Sequence, residues 1–305
     1  MVPETHNSMK LSIAVVTMNR ATQLIEAIQS CIASKLPSDT QFVIIDNAST
    51  DSTEYAIASF FQEYSYEYYY EKLQSNIGCG NGRNYAYSKS KGEYVYFMDD
   101  DAYIDPSCHD FFVRSLEIFD ANNKIASLTT QIYDLLWKQD RLLSNGPLID
   151  TNVRHCQMLC GGSHFLSRKF FGDTNPYFPN KYGYEEILPS LRVVDAGYFN
   201  AFVEDIRVIH NPIVNKWDYS DKRNQELLIK GLAVPYAMKI QYYPKIFYPL
   251  IYLAFIFRCR KYLDKTQFIK ANEMVNQVLN AYEWDCCIKI KSVLTMFKYF
   301  GFAIF

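Results

Sequence analysis

Three consecutive carboxylates, Asp99, Asp100 and Asp101, follow the apolar run EYVYFM and could hold a metal ion. Like charges placed together repel one another and raise their pKa values, so such a triplet is costly unless a cation neutralises it. Carboxylate oxygens suit Mg²⁺ and Mn²⁺, which commonly bind protein carboxylates together with substrate phosphates. The triplet therefore predicts a divalent cation site, and a solvated acidic turn is the alternative.

Two further polar residues come at the ends of short apolar runs. Thr17 follows LSIAVV at 11–16, and Asp46 ends FVIID at 42–46. In parallel sheets, ligands bind outside the carboxyl ends of the strands. We therefore expect Thr17, Asp46 and the acidic triplet to converge on one ligand site.

The apolar spacing around these positions predicts strands that alternate with helices. Strands are expected at 11–16, 42–46, 66–70, 93–98 and 125–132. A glycine-containing loop, NIGCGNGRN, is expected before the third helix, and a further helix near 108–120. Asp51 with Glu54 resembles a capping box that opens the second helix. This order predicts an α/β fold with a mostly parallel sheet and right-handed crossovers.

The ordered motifs resemble the family 2 glycosyltransferases, inverting nucleotide-sugar enzymes with the GT-A fold. The resemblance rests on SIAVVTMNR, FVIIDNASTDST and NIGCGNGRNYAYSKSKGEYVYFMDDD, and then on CGGSHFLSRKFF and YGYEEILPSLRVVDAGYFNAFVEDIRVIH. It covers roughly residues 10–211. It implies a GT-A domain over 9–215, with a nucleotide-binding half at 9–108 and an acceptor half at 109–215. A helical C-terminal extension would occupy 216–305.

The resemblance implies a nucleotide-sugar site in the first half of the chain. Asp46 would accept the N3–H of a uracil or thymine ring, which favours a UDP- or dTDP-sugar. Turn and cap chemistry is an equal alternative for Asn47 and Asp51. The other implied contacts are Thr17, Asn19, Arg20, Gly78, Gly80, Arg83, Asp99, Asp100 and Gly162.

The resemblance also implies metal ligands and a general base. Asp99, Asp101 and His210 would hold Mn²⁺ or Mg²⁺, for which a neutral imidazole is a good ligand. Inversion at the anomeric carbon needs a base that deprotonates the acceptor hydroxyl. Glu186 is the first candidate and Glu185 the second, although the family usually has Asp at the second position of this pair. Two exposed acids at a helix start are the alternative.

Weaker expectations concern residues around this centre. Gly161 and Gly162 are expected to permit close approach of the donor sugar and the acceptor. Arg192 is expected to orient its helix or the nearby carboxylates, and Lys216 and Arg223 to close over the diphosphate.

Charge divides the chain into two parts. The 305 residues carry 31 Lys+Arg and 33 Asp+Glu, a balance that argues against general nucleic-acid binding. Ten Lys/Arg but only four Asp/Glu lie from Pro235 onward, so this part is basic. The apolar run at 246–257 is shorter than the about 20 residues of a membrane span.

The aromatic and basic segment at 242–261 is compatible with three partners. It suits an acidic membrane surface, as a peripheral contact. It equally suits packing on the enzyme body or on a second subunit, so an oligomer is an open alternative.

The eight cysteines are interpreted as free thiols, and MVPETHNSMK lacks the apolar core of a signal peptide. The expected location is therefore cytoplasmic, including the inner face of the plasma membrane.

Together these features predict a metal-dependent inverting glycosyltransferase that acts on a nucleotide-diphosphate sugar. The acceptor would be a hydroxyl of a glycan or lipid-linked molecule in cell-surface polysaccharide synthesis. A sugar-nucleotidyltransferase is one alternative, but it would carry a basic, Gly-rich loop where this chain has Thr17-Met18-Asn19-Arg20. A non-catalytic nucleotide-binding scaffold of the same fold is the other.

Overall fold

The computed structural model describes residues 9–141, 146–180, 183–212, 222–281 and 287–305. The chain divides into two compact units. One comprises Met1–Val193 and Tyr198–Ile213, and the other comprises Val194–Gly197 and Val214–Phe305.

The first unit contains a sheet in which eleven strands are hydrogen-bonded within the described ranges. The strands are β1 Leu11–Thr17, β2 Thr40–Asp46, β3 Glu67–Lys72, β4 Tyr94–Met98, β5 Ala102–Ile104, β6 Ile125–Asp134, β7 Gln139–Asp140, β8 Leu148–Asp150, β9 Val153–His155, β10 Ser163–Ser167 and β11 Phe199–His210. The helices along the same stretch of chain are α1 Ala21–Ile32, α2 Thr53–Glu63, α3 Cys79–Lys89, α4 Phe111–Ala121, α5 Arg168–Phe171 and α6 Ile187–Asp195.

The strands β3, β2, β1 and β4 lie side by side in that order and run parallel. Every residue of β2 and β4 is buried, as expected for parallel strands that are covered on both faces. Thr17 pairs with Asp46 across β1 and β2, so these two strand ends lie next to each other. The predicted mostly parallel core, flanked by helices, is confirmed.

The rest of the sheet is mixed. β10 runs antiparallel between β4 and β6, whereas β11 runs parallel to β6. The short strand β5 pairs antiparallel with β11 and sets His210 opposite Ala102. This pairing brings the end of β11 beside the acidic triplet, although the two segments are far apart in sequence.

The predicted capping box at the start of α2 is wrong. The helix begins at Thr53 and has no side-chain hydrogen bond at its cap. Instead, Asp51 Oδ1 accepts from the backbone N–H of Thr53 at 3.1 Å, and Asp51 Oδ2 accepts from that of Ala21 at 3.2 Å. One carboxylate thus serves the first residues of both α1 and α2, where helix dipoles favour negative charge.

The glycine-containing segment expected to be a loop forms the start of α3. Gly78 precedes the helix with φ of 87°, a left-handed conformation that favours glycine. A Cβ at Gly80 would overlap the carbonyl oxygen of Phe178, and Gly80 N donates to Asn180 O at 3.0 Å. The lack of a side chain at Gly80 therefore allows close approach of the protein backbone, whereas the sequence predicted close approach of a nucleotide.

The second unit is helical. Its elements are α7 Lys222–Tyr242, a 3₁₀ turn at Lys245–Phe247, α8 Tyr248–Tyr262, α9 Lys265–Ala281, α10 Ile290–Phe300 and a 3₁₀ turn at Gly301–Ile304. Its core contains Ile229, Ala233, Ala237, Phe255, Cys259, Ala271 and Val275. Across the described parts of the chain, every helix is too short or too polar to cross a membrane. The predicted helical C-terminal region is confirmed.

The described cysteines form no disulfide bond, as predicted for all eight. They are Cys31, Cys79, Cys108, Cys156, Cys160, Cys259 and Cys287. Cys286 lies outside the described residues, as do most of the N-terminal segment MVPETHNSMK and the predicted boundary at 215/216.

Candidate active site

A buried arginine on α3 binds acceptors from three distant segments. Arg83 Nη1 donates to Glu185 Oε1 at 2.7 Å and to Glu186 Oε1 at 2.5 Å. Its Nη2 donates to Asp99 Oδ1 at 2.8 Å and to the carbonyl oxygen of Gly161 at 3.0 Å. The planar guanidinium suits such forked contacts, which a lysine would not reproduce. We call Arg83, Asp99, Glu185 and Glu186 the Arg83 cluster.

The two glutamates of this cluster are not exposed acids at a helix start, so that alternative is wrong. Glu185 is 2% exposed and Glu186 is 7% exposed. Burial, followed by the charge of Glu185, raises the pKa of Glu186 to about 7 against the lowering effect of Arg83. Glu185 Oε2 is buried and has no hydrogen-bond partner among the described residues. Glu186 thus has a pKa suited to exchanging a proton near neutral pH.

Gly161 leaves room for the Glu186 carboxylate. A Cβ at Gly161 would overlap Glu186 Oε1 and would lie 3.0 Å from both Nη atoms of Arg83. A Cβ at Gly162 would lie 3.2 Å from Ile132 Cδ1 and 3.4 Å from Asp99 Oδ2. Sequence reasoning expected both glycines to serve the donor sugar and acceptor, but Gly161 is needed for protein packing.

Asp99, Asp101 and His210 form a group that can hold a metal ion. Their ligand atoms all lie within 4.8 Å of one another. His210 Nε2 is 3.5 Å from Asp101 Oδ1. Burial would raise the pKa of Asp101, but the hydrogen bond to His210 and the charge of Arg20 outweigh it and lower that pKa. The structure thus brings together all three residues that sequence reasoning named as ligands.

Asp134, at the end of β6, contacts the other side of the His210 ring and was missed from the sequence. Its Oδ2 lies 3.0 Å from His210 Nδ1 and accepts from Arg141 Nη2 at 3.0 Å. Arg141 Nη2 is itself 2.9 Å from His210 Nδ1. Histidine ligands commonly donate their second N–H to a carboxylate, which fixes the ring and the tautomer. The available signal was a carboxylate at a strand end in IYDLL.

Asp100 is not part of this group and instead binds Thr17 and Arg20. Thr17 Oγ1 donates to Asp100 Oδ2 at 2.7 Å, and Arg20 Nη1 donates to Asp100 Oδ1 at 3.0 Å. Arg20 Nη1 also binds Asp101. Burial raises the pKa of Asp100 to about 6 despite the opposing charge of Arg20. We call Arg20, Asp100, Asp101 and His210 the Arg20 cluster.

Asp46 is fully buried at the end of β2 and already has two protein partners. Its Oδ1 accepts from the backbone N–H of Ser49 at 2.7 Å, and its Oδ2 accepts from the Tyr70 hydroxyl at 2.8 Å. A base whose ring N–H binds Asp46 would share the carboxylate with Ser49 N and the Tyr70 hydroxyl, or displace one of them. Recognition of uracil or thymine by Asp46 stays a prediction.

The loops beside Asp46 are tied together by two asparagines. Asn47 Oδ1 accepts from Ile77 N at 3.0 Å, and Asn47 Nδ2 donates to Gly78 O at 3.3 Å. Asn19 Oδ1 accepts from Thr50 N at 2.7 Å. These bonds support the turn-forming alternative that was open for Asn47.

Of three other predicted residues, only Arg192 has a described side chain, and it binds elsewhere. Arg192 Nη1 donates to the carbonyl oxygen of Asn175 at 2.8 Å, so its expected role beside the carboxylates is not met. Lys216 lies outside the described residues, as does the Arg223 side chain.

Residues 12–172, more than half of the chain, match the sequence profile described as glycosyl transferase family 2. The chain belongs to this family. The match includes nearly all of the parallel core, together with Gly161 and Gly162, whereas Glu185, Glu186 and His210 lie beyond it.

Curated relatives of this family 2 protein are known in bacteria. It is 31% identical over 97 residues to the poly(ribitol-phosphate) beta-glucosyltransferase of Bacillus spizizenii, a segment that covers 32% of this chain and 15% of that protein. It is 31% identical over 98 residues to the poly(ribitol-phosphate) beta-N-acetylglucosaminyltransferase TarS of Staphylococcus aureus, covering 32% and 17%. The matched segments therefore span about a sixth of the length of these relatives.

Solved structures with a similar fold carry nucleotide sugars. S. aureus TarS 1-349 in complex with UDP-GlcNAc has a TM-score of 0.61 and 17% identity, over 89% of this chain and 82% of that one. The mannosyltransferase PcManGT from Pyrobaculum calidifontis, in complex with GDP-Man and Mn²⁺, has a TM-score of 0.60 and 14% identity, over 96% and 82%. The GT-A fold predicted for this family 2 protein is confirmed.

Proposed function

We propose that this glycosyltransferase is metal-dependent and inverting, and that it transfers a sugar from a nucleotide diphosphate to a hydroxyl acceptor. A UDP- or dTDP-sugar is the favoured donor, because Asp46 offers a carboxylate beside Thr17 at the strand edge. The proposed catalytic domain spans 9–215, with the nucleotide-binding half at 9–108 and the acceptor half at 109–215. Residues 216–305 form the extension.

The link that Arg83 makes between two carboxylates carries this proposal. One guanidinium binds Asp99 on one side and Glu186 on the other. Asp99 also belongs to the candidate metal group, whereas Glu186 is the candidate base. This arrangement supports a reaction centre in which donor and acceptor meet between these two carboxylates.

Two carboxylates and one imidazole fit Mn²⁺ or Mg²⁺, and the backing of His210 by Asp134 supports a ligand role for the ring. A bound divalent cation would supply charge neutralisation for the departing diphosphate. Two solved structures of similar fold, PcManGT and GalNAc-T7, contain Mn²⁺. Asp99, Asp101 and His210 are the proposed ligands.

Glu186 is the proposed general base. In the reaction, the acceptor oxygen forms a bond to the anomeric carbon while the bond to the diphosphate oxygen breaks. The acceptor proton passes to Glu186, and the nucleotide diphosphate leaves on the opposite face. Arg83 holds the Glu186 carboxylate by Oε1, and burial together with the charge of Glu185 keeps the pKa of Glu186 high enough for it to accept a proton.

The acceptor is proposed to be a hydroxyl of a glycan or lipid-linked molecule in cell-surface polysaccharide synthesis, at the cytoplasmic side of the membrane. The relatives act, by their names, on poly(ribitol-phosphate), a hydroxyl-bearing polymer. Their similarity supports this class of acceptor.

Nucleotide binding is tested by thermal unfolding with UDP, dTDP, GDP and CMP, each with and without Mn²⁺. A ligand that binds the folded state raises stability in proportion to ln(1 + [L]/Kd). We expect UDP or dTDP to give the largest shift, and Mn²⁺ to increase it. A shift with GDP alone would keep the transferase and overturn the role of Asp46.

Transfer is tested by nucleotide release from a panel of UDP- and dTDP-sugars with an acceptor pool. Glu186→Gln should abolish release while keeping the nucleotide shift, and Glu117→Gln, an exposed acid on α4, is the matched control. A wild-type protein that binds UDP and Mn²⁺ but never releases nucleotide would favour the non-catalytic scaffold. Formation of a nucleotide sugar from a sugar phosphate and a nucleoside triphosphate would favour the nucleotidyltransferase.

A further inference from the structure

The helix α8 is apolar on two opposite faces. Ile251, Phe255 and Cys259, spaced four residues apart, are each at most 3% exposed and pack into the second unit. The side chains of this face pack α8 against the rest of the second unit. A surface helix normally presents polar residues on the side away from its core.

The opposite side of α8 carries an exposed apolar stripe. It consists of Leu250, Leu253 and Phe257 on α8, together with Ile246 in the 3₁₀ turn just before it, and these residues are spaced three or four apart. Their exposed fractions are 71%, 39%, 62% and 71%. Residues at this spacing lie on one helical face, so these side chains form a continuous row, the α8 stripe. Rows of this kind mark surfaces that bind a protein or a membrane.

A second row of the same kind lies on α10 and the turn that follows. Ile290, Leu294 and Phe297 repeat at the same helical spacing, and Phe302 extends the row. Ile290, Leu294 and Phe302 are each more than half exposed, and Phe297 is 37% exposed. We call this row the α10 stripe.

Aromatic contacts connect the two stripes within the second unit. Phe305 lies 6.1 Å from Phe297 and 5.8 Å from Phe247, measured between ring centroids. Phe247 is adjacent in sequence to Ile246, where the α8 stripe begins. Arg258 also donates to the backbone carbonyl oxygen of Phe305 at 2.7 Å. These contacts fix the two stripes relative to each other, so the stripes form one surface.

The segments that carry the two stripes contain only basic charged residues, one of which, Lys289, pairs with Asp195 at 3.3 Å. The sequence contains no Asp or Glu at 227–263 or at 286–305. These segments include both stripes. The exposed cations along them are Lys245, Arg260, Lys261, Lys289, Lys291 and Lys298.

We propose that the α8 and α10 stripes form a docking surface for an anionic lipid bilayer. Apolar and aromatic side chains enter the interface while neighbouring Lys and Arg meet lipid phosphates. Two copies of this surface placed face to face would bring cations against cations, which opposes a self-associated dimer. The helix α8 has 15 residues, so it is about 22 Å long, shorter than the hydrocarbon core of about 30 Å. It therefore lies in the plane of the interface.

Co-sedimentation of the full-length chain with vesicles tests this proposal. We expect binding to vesicles of phosphatidylcholine with 30% phosphatidylglycerol, at least tenfold stronger than to phosphatidylcholine alone. High salt should weaken it because it screens the lipid charge. Equal binding to both vesicles, or no binding to either, would overturn the proposal. The readout needs no donor sugar, so it does not depend on the proposed transferase reaction.

A double variant identifies the surface. Leu253→Ser with Phe257→Ser removes half of the α8 stripe without touching its buried face, and should weaken vesicle binding at least tenfold. Ile269→Ser is the matched control, because Ile269 is 60% exposed on α9 of the same unit. Circular dichroism and thermal unfolding check that both variants fold. Wild-type binding by the double variant would overturn the proposal, as would a wild-type dimer that this variant dissolves while vesicle binding persists.

Discussion

The Arg83 cluster and the Arg20 cluster are built from the same residue types but neutralise their charge differently. Each contains more carboxylates than arginines. In the Arg83 cluster, burial raises the pKa of Glu186 to about 7, so a proton compensates the surplus charge near neutral pH. In the Arg20 cluster, burial raises the pKa of Asp100 only to about 6, and the hydrogen bond from His210 and the charge of Arg20 outweigh burial and keep the pKa of Asp101 low, so both carboxylates are mostly ionised at neutral pH.

The environment of a carboxylate decides which of two roles it can take. A carboxylate that holds a proton near neutral pH is suited to acid–base chemistry, whereas one that stays ionised is suited to a cation. Asp99 belongs to both environments, because it binds Arg83 and lies in the candidate metal group. The proposed reaction centre therefore has different electrostatic environments on the two sides of Asp99.

Glu186→Gln should have the largest effect on the difference between the two clusters. The amide keeps the shape of the side chain but cannot accept a proton, so we expect kcat to fall by about 10²–10⁴-fold. Metal and nucleotide affinity should change little, because the change is confined to the Arg83 cluster. Steady-state kinetics and a Mn²⁺ titration measure both. An equal loss of metal affinity would mean that the two clusters are not functionally distinct.

The neighbouring glycines allow each side of Asp99 to be disturbed separately. Gly161→Ala forces its Cβ against Glu186 Oε1, whereas the Cβ of Gly162→Ala meets atoms no closer than 3.2 Å. Because a displacement of about 1 Å at a reacting group can cost about 10²-fold, we expect that loss in kcat for Gly161→Ala. Gly162→Ala should stay within a few-fold of wild type. Similar rates for the two variants would contradict the packing role of Gly161.

Asp134→Asn tests the metal side. Asparagine can still accept a hydrogen bond from His210 but loses the negative charge, so we expect Mn²⁺ affinity to fall about 10–100-fold. Electron paramagnetic resonance of free Mn²⁺ measures this without turnover. Asp140→Asn, an exposed acid on β7 of the same sheet, is the control. Unchanged Mn²⁺ affinity in Asp134→Asn would remove Asp134 from the site.

The pH dependence of the rate gives the smallest expected effect. Glu186 must be ionised to act as a base, and its pKa is raised to about 7. Activity should therefore rise with pH and level off above about 8, falling about tenfold per pH unit well below 7. A profile of kcat from pH 5.5 to 9 measures this. Glu186→Gln should lose the ionisation, and a wild-type profile that is flat through pH 7 would count against Glu186.

The parallel core was predictable because its signals are local. β1, β2 and β4 are apolar runs whose ends carry Thr17, Asp46 and the acidic triplet. The pairing of Thr17 with Asp46 follows from the ordinary register of neighbouring parallel strands. Short apolar runs with polar ends were therefore sufficient for this part of the fold.

The contacts across the site were not predictable in the same way. Asp134 reaches His210 over a separation of 76 residues, through the register of β6 on β11. Arg83 reaches Glu185 over 102 residues, and Gly161 matters because a Cβ there would collide with Glu186. Such contacts depend on tertiary packing, which leaves no spacing pattern in the sequence.

The buried guanidinium of Arg83 limits where this chain could be divided or recombined during evolution. The family profile ends at 172, but two of the carboxylates that neutralise Arg83 lie at 185 and 186. A piece that ended at 172 would keep Arg83 with Asp99 but lose the other two carboxylates, and removing one partner of a buried ion pair costs about 3–5 kcal/mol. Recombination at residue 172 is therefore disfavoured unless the segments before and after it come from the same parent protein. The segment that must be inherited together is longer than the range that the family profile matches.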